Sequence, residues 1–247
     1  MERVNIRFLG CGDAFGSGGR FQTCVEVKTQ ENRFLVDCGA SSLIAMQRFG
    51  VDPNEIEMIL LTHLHADHFG GIPFFLLDSQ FIHRRENELV IAGPPRTKER
   101  LKETMEAMFP GASQSEWNFP LRIVELEAGR ANDFGNVTVT PYVVSHECGS
   151  PPFALRIQCD GKGLTYTGDT EWTQSLVPAA KDVDLLIAEA YYFDRKVRYH
   201  LDFRTLMDHI DELRPRRLII THMSSDMLDR SGMLHCECAE DGKTVQL

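Results

Sequence analysis

The sequence lacks the features of membrane, secreted and fibrous proteins. No apolar run approaches the roughly 18 residues that a membrane span needs, and residues 1–7 contain no long apolar core of the kind that signal peptides carry. Internal repeats and low-complexity linkers are also missing. We therefore expect a globular, cytoplasmic protein, and 247 residues of which 43% are hydrophobic can bury a substantial core.

Three further features limit the functions that the chain can have. The seven cysteines are odd in number and form no CxxC pair, which is typical of reduced thiols in the cytosol. The glycine-rich stretch 10–19 is not followed by Gly-Lys-Ser/Thr, so there is no P-loop for a nucleotide. Positive charge is scarce: 26 Lys and Arg against 36 Asp and Glu leave a net charge of -10. That balance disfavours a broad, non-specific nucleic-acid surface.

The spacing of apolar residues predicts an α/β protein. Alternating or continuous apolar runs predict strands, among them residues 4–9, 23–28, 58–62, 184–189 and 217–221. Helices are predicted over residues 97–109, 172–180 and 203–213 and in the region after Ile72. Because strands form sandwich-like runs and helices are interspersed in both halves, we expect two sheets covered by outer helices.

A cluster of histidines is the sharpest chemical feature. His63, His65, Asp67 and His68 fall within six residues, directly behind the apolar run 58–61. The i, i+2 spacing points His63 and His65 to one side of an extended chain. Neutral imidazole and carboxylate are natural ligands for zinc and similar divalent ions. A solvated, histidine-rich loop is the alternative, but four ligand-type residues so close behind a buried strand favour a metal site.

Other ligand-type residues stand where apolar strands end. His146 follows the run 138–145, Asp169 follows 164–168 and His222 follows 218–221. Sites in α/β proteins collect at such strand ends. Taken alone, each residue has a structural reading, and Asp169 could cap the next helix. Taken with the histidine cluster, they predict one metal centre.

The ordered pattern His-x-His-x-Asp-His, His, Asp, His over nearly the whole chain resembles the metallo-β-lactamase fold superfamily. The resemblance implies a single hydrolase domain over residues 1–247, folded as a four-layer αββα sandwich with its site at one edge between two sheets. It implies two divalent metal ions. The implied ligands are His63, His65 and His146 for one ion, Asp67, His68 and His222 for the other, and Asp169 as the bridge. Zinc is the default for these ligands, and manganese or iron would fit a similar set.

Three residues narrow the branch of the superfamily. The bridging position is Asp169 and not a cysteine, which argues against the lactamases that use a thiolate there. Glu189 and the later His200 resemble the glutamate–histidine pair of the ribonuclease Z and related phosphodiesterase branch. In that branch the pair helps to protonate the leaving oxygen. The resemblance thus implies catalytic roles for Glu189 and His200. From ligand chemistry, Asp67 is expected to orient the nucleophile while it binds metal.

One feature of that branch is missing. Between His68 and His146 there is no glycine- and lysine-rich insertion like the arm that grips tRNA. We therefore expect a ribonuclease Z-like phosphodiesterase without a tRNA-binding arm, which cleaves a phosphodiester through a metal-bound hydroxide. The substrate would be a nucleotide, a nucleic-acid end or a smaller phosphodiester.

Two other functions stay open at this point, because one fold hosts many activities. The first is hydrolysis of carboxylic bonds in a lactone, a thioester or a β-lactam. The second is a non-catalytic relative that binds a ligand through the retained fold. No membrane partner is expected, and a homodimer is one alternative for the oligomeric state.

Overall fold

The computed structural model describes residues 4–247, which form fourteen strands, numbered along the chain, in two seven-stranded sheets. The first sheet consists of β1 (Asn5–Gly10), β2 (Cys24–Lys28), β3 (Arg33–Val36), β4 (Met58–Leu60), β5 (Leu89–Gly93), β6 (Leu121–Glu125) and β14 (Thr244–Gln246). The second consists of β7 (Asn132–Phe134), β8 (Val137–Val143), β9 (Phe153–Cys159), β10 (Lys162–Tyr166), β11 (Leu185–Glu189), β12 (Leu218–Thr221) and β13 (Glu237–Cys238).

Each sheet is mixed. The first has the order β14-β1-β2-β3-β4-β5-β6, antiparallel as far as β3 and parallel from β3 to β6. The second has the order β13-β12-β11-β10-β9-β8-β7, antiparallel from β7 to β10 and parallel from β10 to β13. Parallel neighbours present their carboxyl ends at one edge.

The two sheets pack face to face around an apolar core. Large side chains from both sheets meet there, among them Phe8 and Phe34 from the first and Phe153, Tyr166 and Ile187 from the second. All five are at most 1% exposed. The alternation of strand residues sends the neighbouring Leu9 to the opposite face of its sheet.

Helices cover the outer faces. On the first sheet lie α1 (Ser42–Arg48), α2 (Ala66–Phe69), α3 (Ile72–Phe81) and α4 (Thr97–Met108). On the second lie α5 (Leu176–Ala180), α6 (Phe203–Asp208), α7 (Ile210–Leu213) and α8 (Ser225–Arg230). The layers therefore run helix, sheet, sheet, helix, and the predicted four-layer αββα sandwich is confirmed. None of the helices within residues 4–247 combines the length and the apolar character that crossing a membrane requires.

Two predicted helices differ from those found. The stretch 172–180 is helical only from Leu176, and 203–213 is divided between α6 and α7 at His209. The rings of Trp172 and His209, one at each of these non-helical positions, stack with centroids 3.8 Å apart.

Candidate metal centre

The histidine cluster lies at the carboxyl end of β4. His63 and His65 leave the strand, while Asp67 and His68 stand in α2. The loop is held against the end of β3, because the backbone N–H of Cys38 donates to the carbonyl of His68 at 2.6 Å. A Cβ on Gly39 would lie 2.2 Å from the carbonyl oxygen of Asp67, so only glycine allows this approach. His63 and His68 are completely buried as a result.

The second sheet supplies the other predicted ligands. His146 follows β8, Asp169 follows β10 and His222 follows β12. His222 takes a left-handed backbone conformation with φ of 55°, and its N–H donates to the carbonyl of Cys11 at 3.2 Å. This contact ties the end of β12 to the first sheet, so the two groups of ligand-type residues face each other across the edge of the sandwich.

The seven residues converge in two adjacent groups. His63, His65 and His146 form one, and Nε2 of His146 lies 3.0 Å from Nδ1 of His65. Asp67, His68, Asp169 and His222 form the other. Asp169 lies between the groups: its oxygens are 4.0 Å from Nε2 of His63, 3.2 Å from Nε2 of His68 and 3.3 Å from Nε2 of His222.

Three buried polar atoms in these groups make no hydrogen bond of good geometry: Nε2 of His63, Nε2 of His68 and Oδ1 of Asp169. The last two lie 3.2 Å apart as an ion pair. Buried polar atoms without a good hydrogen bond are costly, so this concentration of imidazole nitrogens and carboxylate oxygens marks a place for cations. Imidazole nitrogens and carboxylate oxygens are a donor set that suits zinc, so the residues present fit the metal ions that the resemblance implies.

The pKa values of the histidines in the first group favour neutral imidazole rings, which can donate a lone pair to a metal ion. Burial lowers the pKa of His63 well below its usual range and also lowers the pKa of His65 and of His146. Metal binding requires unprotonated imidazole. These three side chains therefore offer free lone pairs at neutral pH.

The second group concentrates negative charge. Burial alone would raise the pKa of Asp169, but His222 and His68 hold that pKa well below its usual range. Burial would likewise lower the pKa of His68, but Asp169, Asp67 and Asp37 raise it well above its usual value. The charge that favours a proton on His68 equally favours a metal cation in its place.

The sequence reasoning missed a carboxylate behind this group. Asp37, fully buried at the end of β3, has its Oδ2 2.7 Å from Nδ1 of His68, and it accepts hydrogen bonds from the backbone N–H and the hydroxyl of Thr62 at 2.8 Å each. These contacts fix the ring so that Nε2 faces the cluster. The signal was present in the sequence, since Asp37 follows an apolar strand just as Asp169 and His222 do.

We expect an Asp37→Asn variant to bind zinc about 10–100-fold more weakly than the wild type. The amide keeps the shape and the contact with Thr62, but it loses the charge that orients His68. Competition with a chromophoric chelator measures the affinity, and Asp52→Asn, on an exposed turn, is the control. Unchanged affinity in the Asp37 variant would contradict this role.

Glu189 and His200 also meet at the site. Glu189 ends β11, is completely buried, and binds Nδ1 of His200 through Oε1. Its Oε2 accepts from the N–H groups of Thr170 at 2.9 Å and Leu201 at 3.1 Å. Burial would lower the pKa of His200, but the hydrogen bond and charge of Glu189 raise it to about 9. Contact with Glu189 thus favours the protonated form of the imidazole, in which Nε2 carries a proton.

A second backbone contact orients a metal-site histidine. Nδ1 of His146 lies 2.9 Å from the carbonyl oxygen of Tyr199, which leaves Nε2 to face the cluster. Tyr199 itself has a left-handed φ of 71°. Tyr199, which precedes His200, therefore also sets the orientation of His146. No pattern in the sequence indicates this contact.

The groups open onto a cavity of about 120 Å³. Its lining consists of Ala14, Phe15, His65, Asp67, His146, Asp169, Tyr191, His200 and His222. All the residues predicted to carry the chemistry either line this cavity or lie directly beneath it. With its buried donor groups, this site and the αββα fold define a metal-dependent hydrolase of the metallo-β-lactamase fold.

Comparison with known proteins gives the family. Residues 4–241 match the family described as "Anti-Pycsar protein Apyc1", and the chain belongs to it. Ribonuclease Z of Bacillus subtilis (strain 168) is 25% identical, with 90% of this chain and 89% of that protein covered. Ribonuclease Z of Mycobacterium bovis (strain BCG / Pasteur 1173P2) is 30% identical, with 74% and 69% covered.

Solved structures support the fold. The metallo-β-lactamase fold protein YhfI of Bacillus subtilis superposes with a TM-score of 0.81 at 18% identity, covering 99% of this chain and 100% of that one. A diphosphatase of the PhnP family gives 0.80 at 17% identity, covering 98% and 97%. These matches confirm the predicted class, a metal-dependent hydrolase of the ribonuclease Z-like phosphodiesterase branch, and they do not favour the carboxylic-bond alternative.

Proposed function

We propose that residues 1–247 act as a single hydrolase domain with two zinc ions. His63, His65 and His146 would hold one ion, Asp67, His68 and His222 would hold the other, and Asp169, which lies between the two groups, would serve both. The observation that carries the assignment is the convergence of buried imidazole and carboxylate groups from both sheets into two adjacent clusters. The second group differs from the first in its two carboxylates, which favour a cation there.

Two divalent ions would supply an activated water nucleophile and would neutralise charge on the phosphate oxygens. The chain's own groups do the rest. Asp67 is ionised, because His68 holds its pKa low against the effect of burial, and it accepts a hydrogen bond that orients the attacking water. His200 donates the Nε2 proton to the leaving oxygen as the ester bond breaks. Glu189 keeps His200 protonated and fixes its ring.

The substrate is a small phosphodiester, a nucleotide or a nucleic-acid end, and not a whole tRNA. The alignment with the Bacillus subtilis ribonuclease Z extends over 280 positions, more than the 247 residues of this chain. The relative therefore has segments that this chain lacks. The net charge of -10 weakens attraction to a long polyanion. A location in the cytoplasm agrees with the seven free cysteines.

Metal analysis followed by an activity screen tests the proposal. The purified protein should contain about two equivalents of zinc per chain, and a chelator should abolish turnover that added zinc then restores. The screen compares an activated phosphodiester, a phosphomonoester, a lactone and a thioester, and the phosphodiester should be cleaved fastest. A metal-free protein without esterase activity, or a preference for the lactone or the thioester, would contradict the proposal.

A further inference from the structure

Cys236 and Cys238 form a pair of accessible thiols at β13, the strand that stands at one end of the second sheet. The other five cysteines of the chain are buried, whereas these two are half-buried. Burial raises the pKa of each of the other five thiols, so those groups stay protonated and unreactive at neutral pH. Thiol chemistry in this chain is therefore confined to one short segment.

The two thiols are in contact with each other. Residues at i and i+2 of an extended segment stand on the same side, and both side chains pack against the apolar cluster on the outer face of the second sheet. The thiol of Cys236 donates a hydrogen bond to the sulfur of Cys238. The carboxylate of Glu237, between them in the sequence, is engaged by Arg217 at 2.6 Å and by Lys243 at 3.1 Å. The two sulfur atoms are thus free to react with each other.

Two cations beside the pair make Cys238 the more acidic thiol. Nζ of Lys243 donates to the carbonyl of Cys238 at 2.9 Å, and a guanidinium nitrogen of Arg20 donates to the carbonyl of Ala239 at 2.8 Å. The hydrogen bond from Cys236, together with these two charges, lowers the pKa of Cys238 to about 7 against the effect of burial. Because the thiolate is the nucleophilic form, Cys238 attacks first and Cys236 is the second thiol.

We propose that Cys236 and Cys238 form a reversible redox site whose oxidant is a hydroperoxide. An accessible thiol of low pKa beside a second cysteine is the arrangement found in redox-sensitive sites. A disulfide across a single residue on the surface is readily reduced again, which makes the oxidation reversible. The pair lies outside the lining of the catalytic cavity, so the proposal does not depend on the function of the metal centre.

The reaction proceeds in two balanced steps. The Cys238 thiolate attacks one oxygen of hydrogen peroxide and the O–O bond breaks, which gives a sulfenic acid and hydroxide. The sulfur of Cys236 then attacks the sulfenic sulfur, the S–O bond breaks, and the oxygen leaves as water with the proton of Cys236. The hydroxide takes up the proton that Cys238 released. Two thiols are oxidised to one disulfide, and one peroxide is reduced to two molecules of water.

Thiol counting and peptide mass spectrometry test the site in the zinc-loaded protein. Hydrogen peroxide should remove two of the seven thiols, and the peptide that holds Cys236 and Cys238 should lose two hydrogen atoms, which dithiothreitol restores. Cys236→Ser should stop at a sulfenic acid that dimedone traps on Cys238. Cys238→Ser should slow the loss of thiols at least about tenfold. Cys159→Ala, which removes a thiol that is 3% exposed on β9, is the control and should react like the wild type.

Alkylation provides a readout that needs no substitution. The rate at which iodoacetamide modifies Cys238 should be half-maximal near pH 7, below the value of about 8.5 of an ordinary thiol, and Lys243→Gln should move this midpoint upwards. A midpoint at or above pH 8.5 would overturn the proposal. Retention of all seven thiols in peroxide, oxidation of a buried cysteine in place of the pair, or a disulfide between two chains would overturn it as well.

Discussion

Replacement of Asp169 by alanine is expected to reduce kcat/KM for phosphodiester hydrolysis at least about a thousandfold. The side chain is 3% exposed and lies within 4.0 Å of nitrogens on His63, His68 and His222. Without it, the two groups lose the carboxylate that lies between them, and the buried negative charge that favours cations is reduced. Steady-state kinetics and metal analysis on the same preparation measure both effects, and we expect fewer than two zinc equivalents per chain.

Two further variants separate the effect of the charge of Asp169 on activity from the effect of its shape. Asp169→Asn keeps the size of the side chain and should lose nearly as much activity as the alanine variant, because the missing element is the anionic oxygen. Asp194→Asn, at an exposed position of the second half of the chain, should behave like the wild type. Full metal content together with full activity in Asp169→Ala would rule out a bridging role.

Removal of the imidazole in His200→Ala should reveal a dependence on the leaving group. For a phosphodiester with an alkyl alkoxide as leaving group, we expect a loss of about 100–10,000-fold in kcat, the range typical of general acid catalysis. For a p-nitrophenyl ester the loss should be less than about tenfold, because that phenolate departs without a proton. A series of esters with graded leaving-group pKa values measures the difference as a steeper slope in the variant.

The same series distinguishes acid catalysis from structural damage. Glu189→Gln should show a similar but smaller leaving-group dependence, because the neutral amide no longer holds the proton on His200. His235→Ala, which removes an exposed imidazole far along the chain, serves as the control. A uniform loss across all esters in His200→Ala, with zinc still bound, would show that the residue does not act on the leaving oxygen.

The convergence of the predicted metal ligands could be foreseen from the sequence because a simple rule governs it. His63, Asp169 and His222 each follow a buried parallel strand, and such strands present their carboxyl ends at one edge. The fold followed from the resemblance and from apolar spacing that indicates two sheets. Residue type, order along the chain and position at strand ends are together enough to predict which residues converge, without any knowledge of distances.

The contacts that hold the site residues in place could not be predicted from the sequence in the same way. Asp37 has the position of a ligand but binds His68 instead, and only the packing of β3 against β4 decides between the two roles. The carbonyl of Tyr199 orients His146, and a backbone atom leaves no trace in a side-chain pattern. The break at His209 coincides with a stack of its ring on Trp172, a contact between residues far apart in sequence that an amphipathic period does not show.

The first sheet is completed by β14, which pairs with β1 from Asn5 opposite Gln246 to Arg7 opposite Thr244. During synthesis β1 thus stays an unprotected edge until residues 244–246 have emerged, and such an edge is a template for intermolecular aggregation. His146, Asp169 and His222 also emerge only in the second half. A chain that ends before residue 222 therefore lacks part of the predicted ligand set as well as the strand that covers β1.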